Sequence, residues 1–98
     1  MFEINLNQLA KILILIVMER ALVLMIVEPS EEKEVMEKLK TYPEVIEAHF
    51  IYGPYDVYVK IEVETLEEIQ QVVLDKIRNI PGIRSTMTCF LANFFEEN

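Results

Sequence analysis

At 98 residues, 52% of them apolar and 27% charged, the chain is one globular domain rather than a disordered segment. It is long enough to bury roughly two-thirds of its extended surface. A net charge of −8, with its few lysines and arginines scattered, excludes direct nucleic-acid binding, which needs several phosphate contacts from cations.

The elements begin with an apolar stretch. Ile12 to Met18 is uninterrupted apolar sequence, Glu19-Arg20 follows, and Ala21 to Val27 is apolar again. Each run falls short of the ~20 residues that span a bilayer, and no small-x-small cleavage site follows the first. Residues 1–19 therefore read as an N-terminal extension, an extra strand or short helix. It is too apolar to be left in water, so burial against the fold or another subunit is expected.

Ala21 to Val27 suits a central strand covered on both faces. Glu28-Pro29-Ser30 stops it, and Ser30 is the expected N-cap of a helix with Val35, Met36 and Leu39 on its buried stripe. Pro43 should end that helix near Thr41-Tyr42. A hairpin from Glu44 to Glu64 comes next, turning at Gly53-Pro54-Tyr55-Asp56. Val57, Val59, Ile61 and Val63 point one way, and Asp56, Tyr58, Lys60 and Glu62 the other. Gly53 supplies the positive φ of a tight reversal, and the Asp56 carboxylate falls where the outgoing strand begins.

Thr65 to Glu68 has the form of a capping box. The helix it opens carries Leu66, Ile69, Val72, Val73, Ile77 and Ile80 on one side and stops at Pro81-Gly82. In the last strand, Ile83, Ser85, Met87, Cys89 and Leu91 alternate with Arg84, Thr86, Thr88 and Phe90, which places Cys89 on the core parity. Asn93 to Asn98 is expected to be a short acidic tail.

Strand, helix, strand, strand, helix, strand gives an α+β, ferredoxin-like βαββαβ sandwich, the frame also used by dimeric α/β-barrel proteins, with the apolar segment in front. Both helices share one sheet face. The other is expected to bear Tyr58, Lys60, Thr86, Thr88 and Phe90, a mixed surface that calls for a dimer at least.

Catalytic and metal-binding patterns are missing. His49 is the lone histidine, Cys89 the lone cysteine, and Gly53 and Gly82 the two glycines. That leaves no triad with shared imidazoles, no multi-histidine metal site, no internal disulfide and no glycine-rich phosphate loop. The expectation is a non-enzyme without cofactor or metal. A single cysteine fits a reducing, cytoplasmic compartment.

Gly53-Pro54-Tyr55-Asp56, Ile80-Pro81-Gly82-Ile83 and Thr86-Met87-Thr88, in this order and spacing, resemble the effector-sensing RAM domain of the Lrp/AsnC (feast/famine) regulators. The resemblance covers about Arg20 to Ala92, within a domain taken as residues 20–98. Family regulators place a helix-turn-helix domain in front, and 19 residues cannot hold one, so a stand-alone sensor is expected. The resemblance implies a small effector, typically an amino acid, bound by Tyr52, Gly53, Tyr55, Asp56, Thr86 and Thr88 where dimers meet. Asp56 would accept from the α-ammonium, amides around Gly53 would meet the carboxylate, and Tyr52 and Tyr55 would wall the pocket. Thr86 and Thr88 would reach Asp56 only across a subunit boundary. The implied partners are other copies of the chain, an amino acid, and a full-length Lrp/AsnC-type regulator, with no nucleic acid and no membrane. The rival readings are a docking domain that forms mixed assemblies without ligand, and a small dimeric α/β-barrel enzyme using His49 or Asp56.

Overall fold

Ala21, Val23, Met25 and Val27 on one side of β1 (Glu19–Val27) are buried, and so are Val57, Val59, Ile61 and Val63 on β3 (Val57–Val63). These two period-two rows form the floor of the core in the computed structural model, which describes residues 3–92 except the side chains of residues 15 and 16. The expected acidic tail, Asn93 to Asn98, lies outside the described residues. The remaining elements are α1 (Leu6–Val17), α2 (Glu32–Leu39), β2 (Val45–Phe50), α3 (Leu66–Gln71) and β4 (Ile83–Phe90). The sheet order is β2-β3-β1-β4, antiparallel throughout, as the ferredoxin-like frame requires.

Helical residues close the core from one side. Val35, Met36 and Leu39 come from α2, and Ile69, Val72, Val73, Ile77 and Ile80 from α3 and the turns after it. Each such side chain contributes about 1.5–3 kcal/mol by leaving water. Leu66, expected on this stripe, is instead exposed at the first turn. After Gln71 the helix widens into a π-helical turn over Val72–Lys76 and tightens into a 3₁₀ turn over Ile77–Asn79. The Ile77 amide donates to both Val72 O and Val73 O across the wide turn. Lys76 in this turn pairs with Glu44 at 2.7 Å and lies over the Tyr42 ring, 5.4 Å from its centroid. The segment is thereby tied to the entry of β2.

Local chemistry departs from expectation at both helix starts. Ser30 does not cap α2. The Glu31 amide donates to Glu28 O at 3.1 Å, and Ser30 takes φ 70°, so Glu28 to Glu31 closes a β-turn with Pro29 at its second position. The helix begins one residue later and ends at Leu39, short of Thr41. At α3 the Thr65 hydroxyl accepts from the Glu68 amide at 3.2 Å, but the reciprocal half of the box does not form.

Two bulges reset the side-chain alternation. Val45 pairs with Ile61 and Glu47 with Lys60, leaving Ile46 as an extra, exposed residue. Val27 pairs with Ile83 and Ile26 with Ser85, so Arg84 is the extra residue in β4. An added residue turns every later side chain to the opposite face. Ile83 packs on the core, yet Thr86, Thr88 and Phe90 also face the helices, opposite Met25, Val23 and Ala21. Cys89 points to the open face and is exposed, which corrects its assignment to the core. The open face therefore carries Leu22, Leu24 and Ile26 with Met87 and Cys89, beside Tyr58 and Lys60.

The N-terminal apolar segment is a helix that starts earlier than expected. Asn5 and Gln8 form a full capping box, Asn5 Oδ1 accepting from the Gln8 amide at 2.8 Å and Gln8 Oε1 from the Asn5 amide at 3.0 Å. No described side chain of α1 is buried, and Leu6 is 83% exposed. Burial of this segment against the chain's own fold is not what the structure shows. No helix among the described residues is long and apolar enough to cross a membrane.

Candidate functional site

The loop between β2 and β3 is held by the backbone around Asp56. The Ile51 amide donates to Asp56 O at 2.9 Å, and the Asp56 amide donates to Met25 O at 2.8 Å. Asp56 Oδ2 accepts from the Val27 amide at 2.8 Å. The two bonds to β1 continue the β1–β3 ladder beyond its last pair, Met25 with Val57, to the point where the β1–β4 register shifts, and the Ile51 bond extends the β2–β3 ladder. One carboxylate oxygen of Asp56 is thus committed to the fold, and Oδ1 remains for other work.

Around this anchor the loop opens outward. Gly53 takes φ 151° and Tyr52 is fully exposed beside it. Tyr55 turns the other way, over the open sheet face, where its hydroxyl donates to Met87 Sδ at 3.5 Å. The same face carries, toward β2, the stacked His49 and Tyr58 rings, 5.0 Å apart, with Glu47 between His49 and Lys60.

Thr86 and Thr88 sit elsewhere. Met25 pairs with Val57 on one side and Thr86 on the other, so Thr86 is two strand spacings, roughly 10 Å, from the start of β3. Both hydroxyl-bearing residues face the helical layer and line a groove of about 380 Å³ at the β4 edge. Phe90 extends the strand wall, while Gln70, Val73, Leu74 and Arg78 form the helical wall. The structure brings Tyr52, Gly53, Tyr55 and Asp56 together at the hairpin. It does not bring Thr86 and Thr88 to them, and within one chain Tyr55 and Thr86 lie on opposite sheet faces.

Arg78 and Gln70 escaped the sequence reading. They sit on the polar side of an amphipathic helix, where charge is normally solvated, and the groove appears only once β4 is placed beside them. Among the described residues no group of three or more His, Cys, Asp or Glu is placed to hold a metal. The hydrogen bond from Lys76 Nζ, opposed in part by desolvation, holds the Glu44 carboxyl below its usual value.

A model of the Lrp/AsnC ligand binding domain matches residues 20–97. The chain belongs to that family. An HTH-type transcriptional regulator of Pyrococcus horikoshii is 35% identical over 66 residues, which are 67% of this chain and 42% of that regulator. The chain thus spans less than half the length of this relative. Among solved structures, FFRP-DM1 is 43% identical with a TM-score of 0.73, over 76% of this chain and 99% of that one. A transcriptional regulator of Neisseria meningitidis, in complex with L-Met, superposes with a TM-score of 0.72 over 99% of this chain and 62% of its own. At 12% identity that likeness is one of fold. The Lrp/AsnC domain described here is therefore a ligand-binding domain by family, with regulators of transcription as its relatives.

Proposed function

We propose that the chain is an amino-acid-sensing module whose copies assemble, and that it acts through assembly with a partner. The observation that carries this reading is the separation of the candidate site into two halves. The hairpin loop caps the end of β3 and β1 with Tyr55 on the open sheet face, and the Thr86–Thr88 groove lies on the helical face at the β4 edge. A complete site then takes a loop from one copy and a groove from another. Asp56 Oδ1 accepts from the ligand's ammonium, a charge-assisted bond worth about 1.5–3 kcal/mol, and Tyr52 and Tyr55 exclude water from it. A ligand that needs two copies favours the assembled state by mass action. Family membership and the L-Met complex of the Neisseria relative support an amino acid as the effector.

The test is a calorimetric titration of the wild-type chain and of Thr86→Val with the common L-amino acids. Binding by one or a few, weakened by the hydroxyl-to-methyl change, is the expected result. An absence of heat with every amino acid would end the sensing reading.

A second reading has its own support. The exposed apolar side chains of α1 and the half-exposed Leu22, Leu24 and Ile26 favour packing against another protein even without ligand. Here the domain docks into mixed assemblies with a full-length Lrp/AsnC-type regulator. Capture of such a regulator that is equally strong with and without amino acids would favour docking over sensing.

A further inference from the structure

The groove at the β4 edge carries one exposed arginine, Arg78. Negative charge is in excess, with 17 Asp and Glu against 9 Lys and Arg. Three cations meet carboxylates, Lys60 with Glu47, Lys76 with Glu44 and Arg84 with Glu28. Arg78 makes no ion pair with any described residue and lines the groove beside Thr86, Thr88 and Phe90. Its position in the last helical turn satisfies the helix dipole, but a lysine would satisfy it equally. What a guanidinium adds is a planar fork that matches a carboxylate with two parallel bonds.

The rest of the groove fits the remainder of an amino acid. Val73, Leu74 and Phe90 are apolar, and no acidic side chain lines it. At about 380 Å³ it lies within the size range of small-molecule sites. We infer that Arg78 is the carboxylate-recognising and specificity-determining residue of the site proposed above, and that the ligand is an α-amino acid with an uncharged, apolar side chain. This inference rests on the amino-acid reading of the domain. It moves the carboxylate from the amides around Gly53 to the Arg78 fork, leaving the ammonium for Asp56 of the neighbouring copy. The side chain lies against Val73, Leu74 and Phe90, where no acidic side chain is present to pair a basic group.

The test is calorimetric titration of the full chain with L-methionine, L-leucine, L-isoleucine and L-valine, each beside its carboxamide, with L-lysine and L-glutamate as charged controls. Wild type should bind at least one apolar amino acid about tenfold or more tightly than its amide. Arg78→Gln and Arg78→Lys should both lose most of that preference while binding the amide as before. The lysine variant keeps the charge at the helix end, so a purely structural role for Arg78 would leave it like wild type. Undiminished preference for the acid in both variants overturns the inference and leaves the sensing reading intact. So does wild-type binding of charged amino acids alone. No binding of any amino acid by wild type removes both.

Discussion

Asp56 Oδ2 accepts the Val27 amide hydrogen at 2.8 Å, so the carboxylate that marks the candidate site also finishes the central strand. Structural and ligand-binding roles therefore have to be separated by the choice of substitution. Asn keeps an oxygen for the Val27 amide and removes the charge, whereas Ala leaves that amide without its partner. Asp56→Ala should lower stability by about 1–3 kcal/mol, read as a lower urea midpoint with unchanged slope. Asp56→Asn should stay much closer to wild type in the same measurement while losing affinity for the amino acid.

Acid should weaken the link between the π-helical turn and β2. The Glu44 carboxyl is held below its ordinary value by Lys76. A depressed folded-state pKa gives stability that is fully present above the unfolded value, about 4.3 for Glu, and lost as pH falls through the folded one. Lys76→Met should flatten this part of the stability profile, below about pH 5. Urea midpoints across that range, for wild type and variant, check it; parallel profiles would show that the pair contributes nothing.

The two glycines should respond differently to alanine. A Cβ at Gly53 meets nothing within 4 Å, so only its φ of 151° opposes the change. At Gly82, φ is 99° and the new Cβ would come within 3.2 Å of Glu31 Cβ and of Val35 Cγ2. Val35 is fully buried and has no room to retreat. Gly82→Ala should cost about 2–4 kcal/mol and Gly53→Ala about 1 kcal/mol, measured by urea denaturation. An equal cost at both positions would show that backbone conformation alone sets the penalty.

Helix α1 buries no described side chain in its own chain. A shortened chain beginning at Met18 should therefore unfold within about 0.5 kcal/mol of the full one. If α1 lies between copies, as its exposed leucines suggest, light scattering should show a smaller assembly for the shortened chain. An assembly with the same number of chains would place α1 outside every contact between copies.

The order of elements, the core row of β3, the α2 stripe and the Thr65 cap were legible, because each is written in local periodicity or in a capping residue. By contrast, β1 is apolar at every position from Ala21 to Val27 and was expected to be covered on both faces. The faces of β2 and β4 were not legible either. Neither Ile46 nor Arg84 carries a glycine or other turn signal, yet each is a bulge residue, and one unpaired residue inverts the alternation beyond it. That inversion put Cys89 outside and carried Thr86 and Thr88 to the helical side. Ser30 misled for a related reason: a good capping residue was taken up by the β-turn ahead of the helix. The Asn5–Gln8 box lies ahead of the uninterrupted apolar run, which starts only at Ile12, so that run does not mark where the helix begins. For the site, the hairpin residues could be named from their motif. The groove could not, because Arg78 and Thr88 meet only through tertiary placement.

A site shared between copies makes a specific prediction for mixed chains. Asp56→Asn disables the loop half and Thr86→Val the groove half, so each variant alone should bind the amino acid poorly. Co-refolded in equal amounts, they should regain about a quarter of the wild-type sites, since random pairing joins an intact loop to an intact groove in about one contact of four. Calorimetric stoichiometry on the mixture is the measurement. Recovery near that fraction is the predicted result; a mixture as inert as its components, or full binding by either variant alone, would contradict the account.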